Sequence, residues 1–180
     1  MATKVTISST GNDSAISFLV SGTNAGLADA DGISTSAEVG NNAFLDIGGV
    51  LAANIPTGGD SGDVTNAIAH KVTITSTGDD SGITFTVSGT NALGAVDTDT
   101  ITGATAGATA TSSKYFLTIT SIKAIGDPVS TVSAGISGEI QEKVTGADDG
   151  TVTTATLFET ITGIKAVSYT HLRAHETKPN

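Results

Sequence analysis

The residues of this chain best suited to bind an ion are aspartates in short turn sequences rich in Gly, Asn and Ser. Asp29 and Asp31 belong to an Asp-Ala-Asp-Gly sequence, and Asp79 is followed directly by Asp80. Carboxylate oxygens are the ligands that Ca²⁺ prefers, so these four residues are the candidates for a calcium site. An EF-hand loop starting at Asp29 would also need a Glu at its twelfth position, where the chain has Gly40. Acidic turns whose carboxylates accept backbone N–H groups explain the pattern better, and we predict no bound metal or cofactor.

Catalysis has one candidate outside the C-terminal tail, His70. An active site needs a nucleophile or an acid/base pair held near a cleft, and the sequence around His70 offers neither partner. His70 directly precedes a predicted strand, which indicates a surface residue at a strand boundary. Neither a Gly-x-Ser-x-Gly sequence nor a phosphate-binding loop occurs in the chain. We therefore predict no catalytic residues and no enzymatic activity.

The C-terminal tail, residues 167–180, differs from the rest of the sequence. Residues 167–177, Val-Ser-Tyr-Thr-His-Leu-Arg-Ala-His-Glu-Thr, contain the only Arg and two of the three His. All eleven residues resemble one reading frame of a common transposon-type sequencing-library adapter. We interpret the tail as a non-native, adapter-derived segment and expect the true C-terminus to be missing. The i,i+4 spacing of His171 and His175 beside Glu176, which would suit a helical metal site, is set aside for this reason.

The composition favours a folded β protein over a nucleic-acid-binding protein. Aromatic residues make up only 4% of the chain and charged residues 14%, whereas β-branched residues recur beside turn formers. Without the tail, six Lys stand against 17 acidic residues, a net charge of −11. Binding to a phosphate backbone needs clustered Lys and Arg, so we expect no nucleic-acid partner. We also expect no membrane partner, because no apolar run approaches the roughly 18 residues of a membrane span.

Two internal repeats organise the sequence. Residues 4–25 and 71–92 are identical at 17 of 22 positions, with an offset of 67 residues. Residues 101–125 and 144–167 repeat a second motif, which begins at an offset of 43 residues. Because the two offsets differ, the chain is not a simple tandem array. The predicted division is a first β module at 1–69 with a divergent second half, a complete β-sandwich module at 70–138, a partial repeat of the second half at 139–166, and the tail at 167–180.

The first motif predicts two strands joined by a turn. Apolar and polar residues alternate in 71–75 and again in 83–87, and the residues between them are turn formers. We predict that the two strands form a hairpin with one buried face. A longer strand is predicted at Lys114–Ile122, whereas residues 33–52 also allow a short helical turn. The last strand, around Leu157–Ala166, is expected to leave an unpaired edge because its module is incomplete.

Short strands separated by turn sequences predict an all-β fold, made of Ig-like antiparallel β-sandwich modules built from internal repeats. The sequences KVTITSTGDDSGITFTVSGTNA and DTITGATAGATATSSKYFLTITSIKA resemble repeats of uncharacterised phage structural proteins, especially from environmental phages. The resemblance covers 70–138 well, and 4–25 and 142–166 in part. It implies a virion protein of the head-decoration, tail or fibre-associated kind, made in the host cytoplasm, whose partners are other virion subunits or further copies of the chain. It supplies no catalytic or binding residues.

One alternative is a bacterial cell-surface adhesin or biofilm β-repeat protein, extracellular and possessing calcium sites in some cases. That class predicts an export signal, whereas Met-Ala-Thr-Lys-Val-Thr-Ile runs straight into an alternating strand. A host-surface glycan is a further conceivable partner that no motif supports. Chains of either class act through their surfaces and not through a reaction.

Overall fold

The computed structural model describes residues 1–11, 16–49, 51, 68–146 and 149–167, and this part of the chain is all-β, as predicted. Its one helical element is a 3-10 turn at Ala25–Leu27, so the short helical turn allowed within residues 33–52 is not seen among the residues described there. The strands are β1 (Thr6–Ser8), β2 (Ser17–Thr23), β3 (Asp29–Glu38), β4 (Ile68–Ser76), β5 (Thr84–Thr90), β6 (Val96–Thr102), β7 (Thr109–Phe116), β8 (Thr118–Ile125), β9 (Thr131–Thr145), β10 (Thr151–Thr153) and β11 (Thr160–Val167).

The strands form three antiparallel sheets, an arrangement consistent with a β-sandwich. A six-stranded sheet has the order β11-β2-β9-β4-β7, with β3 paired to β9 beside β2. A three-stranded sheet has the order β6-β5-β8, and β1 pairs with β10 in a third sheet. Strand β9 is long enough to pair with β4 on one side and with both β2 and β3 on the other. It thereby joins residues from both ends of the chain.

The predicted hairpin of residues 71–75 and 83–87 is wrong, although both strands exist. β4 pairs with β7 and β9, whereas β5 pairs with β6 and β8, so the two strands lie in different sheets. Their alternating apolar residues face a shared core, in which Val72 and Phe85 are fully buried. The turn between the strands therefore connects two sheets across a core and does not close a ladder. Alternation shows which residues are buried but not which strand is the hydrogen-bonded neighbour.

The single strand predicted at Lys114–Ile122 is divided between two sheets. β7 ends at Phe116, and β8 begins at Thr118. Between them Leu117 donates its N–H to the carbonyl oxygen of Thr90, 2.6 Å away, at the end of β5. Phe116 remains fully buried on the β7 side of this crossing. The crossing follows from the same layered arrangement, because the chain must leave the sheet of β4 before it can pair with β5.

Two apolar clusters account for most of the buried core. The larger contains 14 buried residues, among them Phe85, Phe116 and Ile122, and is centred on β4 to β9. The smaller contains five, Val20, Ile68, Ile140, Val144 and Phe158, and lies around β2, the second half of β9 and Phe158. β9 contributes to both clusters, running without a break through the predicted boundary at residues 138 and 139. Of the predicted tail, Val167 ends β11 and residues 168–180 lie outside the described part.

No helix in the described residues is long and apolar enough to cross a membrane.

Candidate functional site

The four calcium candidates do not form a cation site among the described residues, which include no group of three or more His, Cys, Asp or Glu side chains suited to a metal. Asp29 begins β3, and its carboxylate accepts the N–H of Asp31, 3.2 Å away. Asp79 is exposed and accepts the N–H of Ser81 at 3.1 Å. The hydrogen bonds from Ser81 hold the pKa of Asp79 below its usual value. In both cases the Asp carboxylate accepts the backbone N–H two residues later.

Asp80 has a structural environment that the sequence did not indicate. It is fully buried, and its two carboxylate oxygens accept the N–H of Val129 at 2.8 Å and the hydroxyl of Ser130 at 2.9 Å. The turn after β4 is thereby fastened to the segment that enters β9. A carboxylate held in this way has its hydrogen-bonding capacity used within the fold. Its burial could not be predicted, because Asp80 sits in a Gly- and Ser-rich sequence typical of an exposed turn.

The sequence had suggested that His70 is a surface residue. This prediction is wrong, because His70 is fully buried within β4. The strand begins at Ile68, two residues earlier than His70, and pairs with β9 at this point. The ring Nδ1 lies 3.4 Å from the carbonyl oxygen of Ser137. An imidazole closed off from solvent and packed between two strands does not have the access that acid/base catalysis requires.

Two groups of strands share one pairing register although they come from different parts of the chain. We define the central group as β4 to β8, and the terminal group as β1, β2, residues 139–145 of β9, β10 and β11. The middle strand is β5 in the central group and β2 in the terminal group, and each pairs with two neighbours. The ladder from β5 to β8 has one register irregularity, between Ser88 and Gly89, and the ladder from β2 to β11 has one at the equivalent Ser21 and Gly22. Val87 pairs with Asp99 and Ile122 in the central group, as Val20 pairs with Glu142 and Ile164 in the terminal group. Thr73 pairs with Thr111 in the central group, as Thr6 pairs with Thr153 in the terminal group.

A side-chain hydroxyl takes the place of a backbone acceptor at the same point of each group. In the central group the N–H of Val72 donates to the hydroxyl oxygen of Ser112 at 2.9 Å. In the terminal group the N–H of Val5 donates to the hydroxyl oxygen of Thr154, also at 2.9 Å. The two groups therefore agree in local detail as well as in strand order.

Asp99 ties two strands of the central group together. Its carboxylate accepts the N–H groups of Ser113 at 2.6 Å and Lys114 at 3.0 Å, together with the hydroxyl of Ser113. Burial raises the pKa of Asp99, but the hydrogen bonds from Lys114, Thr100 and Ser113 outweigh it and hold that pKa below its usual value. The ionised carboxylate is thus the form that the fold stabilises.

Glu142 occupies the equivalent place in the terminal group. It is fully buried, and its two carboxylate oxygens accept the N–H of Ala155 at 2.6 Å and the N–H of Thr156 at 3.0 Å. The longer Glu side chain reaches the same two backbone positions that Asp99 reaches in the other group. Both carboxylates therefore anchor their strand to the backbone of a neighbouring segment.

The central group has a covering segment, residues 39–49, that the terminal group does not have among the described residues. This segment runs beside β8, where Leu45 donates its N–H to the carbonyl oxygen of Ile122 at 2.9 Å. Ala124 in turn donates its N–H to the carbonyl oxygen of Ala43, also at 2.9 Å. The segment buries Leu45 to 4% exposure and adds it to the larger core. It lies along the edge of the three-stranded sheet and is joined to it by an isolated antiparallel bridge between Phe44 and Lys123.

The equivalent edge in the terminal group, that of β11, has no second strand against it among the described residues. β11 is the last strand of its sheet and pairs on one side with β2, at the place where the sequence predicted an unpaired edge. Ile164 is 51% exposed, whereas its counterpart Ile122 is fully buried. Ile161 is 41% exposed. An edge of this kind presents unpaired backbone groups and apolar side chains together, which is the usual template for pairing with another chain.

Two surface clefts complete the candidates. A cleft of about 340 Å³ is lined by residues 38–40 and 127–130, and contains Glu38 and Asp127 without a basic or nucleophilic partner among its lining residues. The second, of about 320 Å³, lies beside Tyr115 and contains the ion pair of Asp97 and Lys114, whose charged atoms are 2.5 Å apart. In the second cleft Lys114 is paired with Asp97, and the hydroxyl of Ser113 donates to Asp99.

Comparison of the chain with protein-family models, with curated proteins and with solved structures finds no match.

Proposed function

We propose that this protein is a non-catalytic structural component of a phage virion, of the head-decoration, tail or fibre-associated kind, which acts by packing and pairing its sheets with neighbouring subunits. The observation that carries the proposal is the edge of β11, which pairs with β2 on one side, has no partner on the other among the described residues, and exposes Ile161 and Ile164. An isolated soluble protein usually shields such an edge, whereas an assembly protein uses it.

The use of the chain's carboxylates supports a mechanical role. Asp80, Asp99 and Glu142 each accept two or more hydrogen bonds from the fold's own backbone or hydroxyl groups. Buried polar groups engaged in this way stabilise the positions of strands and turns. The acids that could have served in catalysis or ion binding are therefore part of the scaffold.

The proposal includes Ig-like modules derived from internal repeats. Its support is the equal register of the central and terminal groups, which extends to Asp99 and Glu142 and to the hydroxyl acceptors Ser112 and Thr154. In this arrangement the module formed by the terminal group is discontinuous in sequence, because residues 3–25 pair with residues 139–167.

The genes on either side of this one provide the test. Sequencing outward from both ends of the coding region should reveal portal, capsid or tail genes. Secretion or sortase genes would contradict the virion role and favour the alternative, a bacterial surface adhesin. Calcium titration of the purified full chain by calorimetry is a second discriminator. The virion proposal predicts no saturable binding at millimolar Ca²⁺, while a calcium-dependent adhesin would bind in that range and become more stable.

A further inference from the structure

We propose that the open edge of β11 binds an extended apolar peptide segment with the chemistry of residues 42–47, which pairs antiparallel to Ile164–Ala166 and places an aromatic ring on Lys165. This is β-strand addition, in which backbone hydrogen bonds supply affinity and alternate side chains supply specificity. The partner is thus defined by its pattern: small, aromatic and large aliphatic residues in succession, in a strand of low charge.

The pattern is taken from the segment that already occupies the equivalent edge in the same molecule. On β8, Ala43 and Leu45 make the backbone hydrogen bonds to Ala124 and Ile122, and Phe44 lies between them. The ring of Phe44 stands 5.6 Å from the Nζ atom of Lys123, within the range of a cation–π interaction. Phe44 is otherwise 62% exposed, so its orientation is explained by this contact and not by burial in the core.

β11 offers the same groups in the same places. The ladder to the middle strand pairs Val20 with Ile164 as it pairs Val87 with Ile122. Along an edge strand, the backbone N–H and C=O groups of alternate residues point away from the neighbouring strand. Ile122 and Ala124 are the residues of β8 that point outward, so their equivalents Ile164 and Ala166 direct these groups away from β2. Lys165 stands between them as Lys123 stands between Ile122 and Ala124. The chain thus repeats the Ile-Lys-Ala part of that recognition surface, and the described residues place no strand against it.

The observations favour such a peptide over a second β11 strand. If two β11 strands paired antiparallel about Lys165, the two lysines would lie directly opposite each other, and like charges in that position are destabilising. Two complete copies would also each bring a net charge of −10. The segment at residues 40–49, Gly-Asn-Asn-Ala-Phe-Leu-Asp-Ile-Gly-Gly, has a single acidic residue and the aromatic residue that Lys165 would contact.

This inference rests on the proposed assembly role for its biological meaning, since the natural partner would be another subunit or module of the particle. It makes a separate physical claim, which can fail while the gene's neighbours still identify a virion protein. In that case the particle would use some surface other than the β11 edge.

The test uses a synthetic peptide of residues 40–49, titrated into the isotope-labelled full chain and followed by amide NMR. We expect saturable binding, with the largest shifts at Ile164, Lys165 and Ala166. Ile164→Lys should weaken binding at least tenfold, because it places a charge where an aliphatic contact is needed. Ala166→Pro, which removes an outward N–H group, should do the same. Val96→Lys is the matched control, since Val96 is an 86% exposed apolar residue of β6 and its substitution should leave binding unchanged.

Three results would overturn the inference. One is the absence of saturable binding to the unsubstituted chain. Another is binding that maps to Ile122–Ala124, which would mean that the peptide displaces the chain's own covering segment. The third is concentration-dependent self-association through β11 that Ile164→Lys abolishes, which would make a second copy the occupant.

A peptide carrying Phe44→Ala should bind at least threefold more weakly, and equal binding would remove the role of Lys165. Thermal unfolding of each variant checks that the fold is retained.

Discussion

The central and terminal groups of strands have the same ladder and different burial. Val72, Ile74 and Phe85 of the central group are fully buried, whereas Val5, Ile7 and Phe18, their counterparts in the terminal group, are only partly buried. The residues themselves are identical at all three positions. A strand's own sequence therefore determines which side chains face inward, and the rest of the chain determines how completely they are covered.

The source of the difference is visible in the segments that cover each group. The central group receives residues 39–49 along β8, and the first half of β9 pairs with β4. In the terminal group, β1 has three residues and pairs with β10, and β11 has no partner on its second edge within the described part of the chain. Fewer covering segments give a smaller core and a lower expected local stability.

The largest effect is expected from removing the two equivalent aromatic rings. Phe116→Ala should lower the free energy of unfolding by about 3–5 kcal/mol, because it leaves a large cavity in a tightly covered core. Phe158→Ala should fall at the lower end, about 3 kcal/mol, since the less covered terminal group can collapse around the gap. Urea unfolding followed by circular dichroism measures both. A Phe158→Ala effect larger than that of Phe116→Ala would show that the terminal group is the more rigid of the two.

The sharpest difference is expected at two isoleucines in the same position of their strands. Ile122→Ala should lower the free energy of unfolding by about 2–5 kcal/mol, because its side chain is completely buried. Ile164→Ala should change it by no more than about 0.5 kcal/mol, because half of the side chain is already in water. The same urea unfolding experiment compares them. Equal losses would mean that the β11 edge is covered in solution, and the distinction between the two groups would be lost.

The sequence predicted the fold class and the buried residues better than it predicted strand neighbours. Alternation in residues 71–75 and 83–87 marked the correct inward-facing positions, because burial has a period of two in any strand. It could not show that β4 and β5 lie in different sheets, because a hairpin and a connection across a core produce the same local pattern. Nor could it show that residues 3–25 pair with 139–167, since that pairing depends on distant contacts.

The sequence shows the glycines shared by the repeats, but it does not show why each position needs a Gly. A methyl group at Gly22 would overlap the carbonyl oxygen of Thr160, and one at Gly89 would overlap that of Thr118. Both glycines allow two backbones to approach closely, a common reason for Gly inside a strand. The sequence showed that each repeat contains this Gly but not which backbone approaches it. The unpaired edge of β11 was easier to predict, because the last repeat is incomplete in the sequence and its last strand was expected to lack a partner.

An intermediate effect is expected at the two anchoring carboxylates. Glu142→Ala removes a fully buried carboxylate and leaves the N–H groups of Ala155 and Thr156 without their acceptor, which should lower the free energy of unfolding by about 1–3 kcal/mol. Asp99→Ala should have a smaller effect, because Asp99 is partly exposed and water can reach the amides that it releases. Hydrogen exchange measured by NMR should show faster exchange at residues 155 and 156 in the first variant. If the Asp99 variant is the less stable, exposure is not what separates the two anchors.

The smallest effect is expected from acid, and it should act on the central group through Asp99. Its pKa lies below the usual 3.8 in the folded protein, where hydrogen bonds from Lys114 and Ser113 outweigh the opposing effect of burial. The stabilisation it provides is therefore fully present above its unfolded pKa, and it is lost as pH falls through the lower folded pKa. Urea midpoints measured in steps downward from about pH 5 should fall more for the unsubstituted chain than for Asp99→Asn. The substituted chain lacks this titrating group, so its remaining decline reports the other acids. Amides of residues 113 and 114 should lose hydrogen-exchange protection over the same interval. Parallel declines of the two proteins would show that the anchor holds its strands equally well in either protonation state.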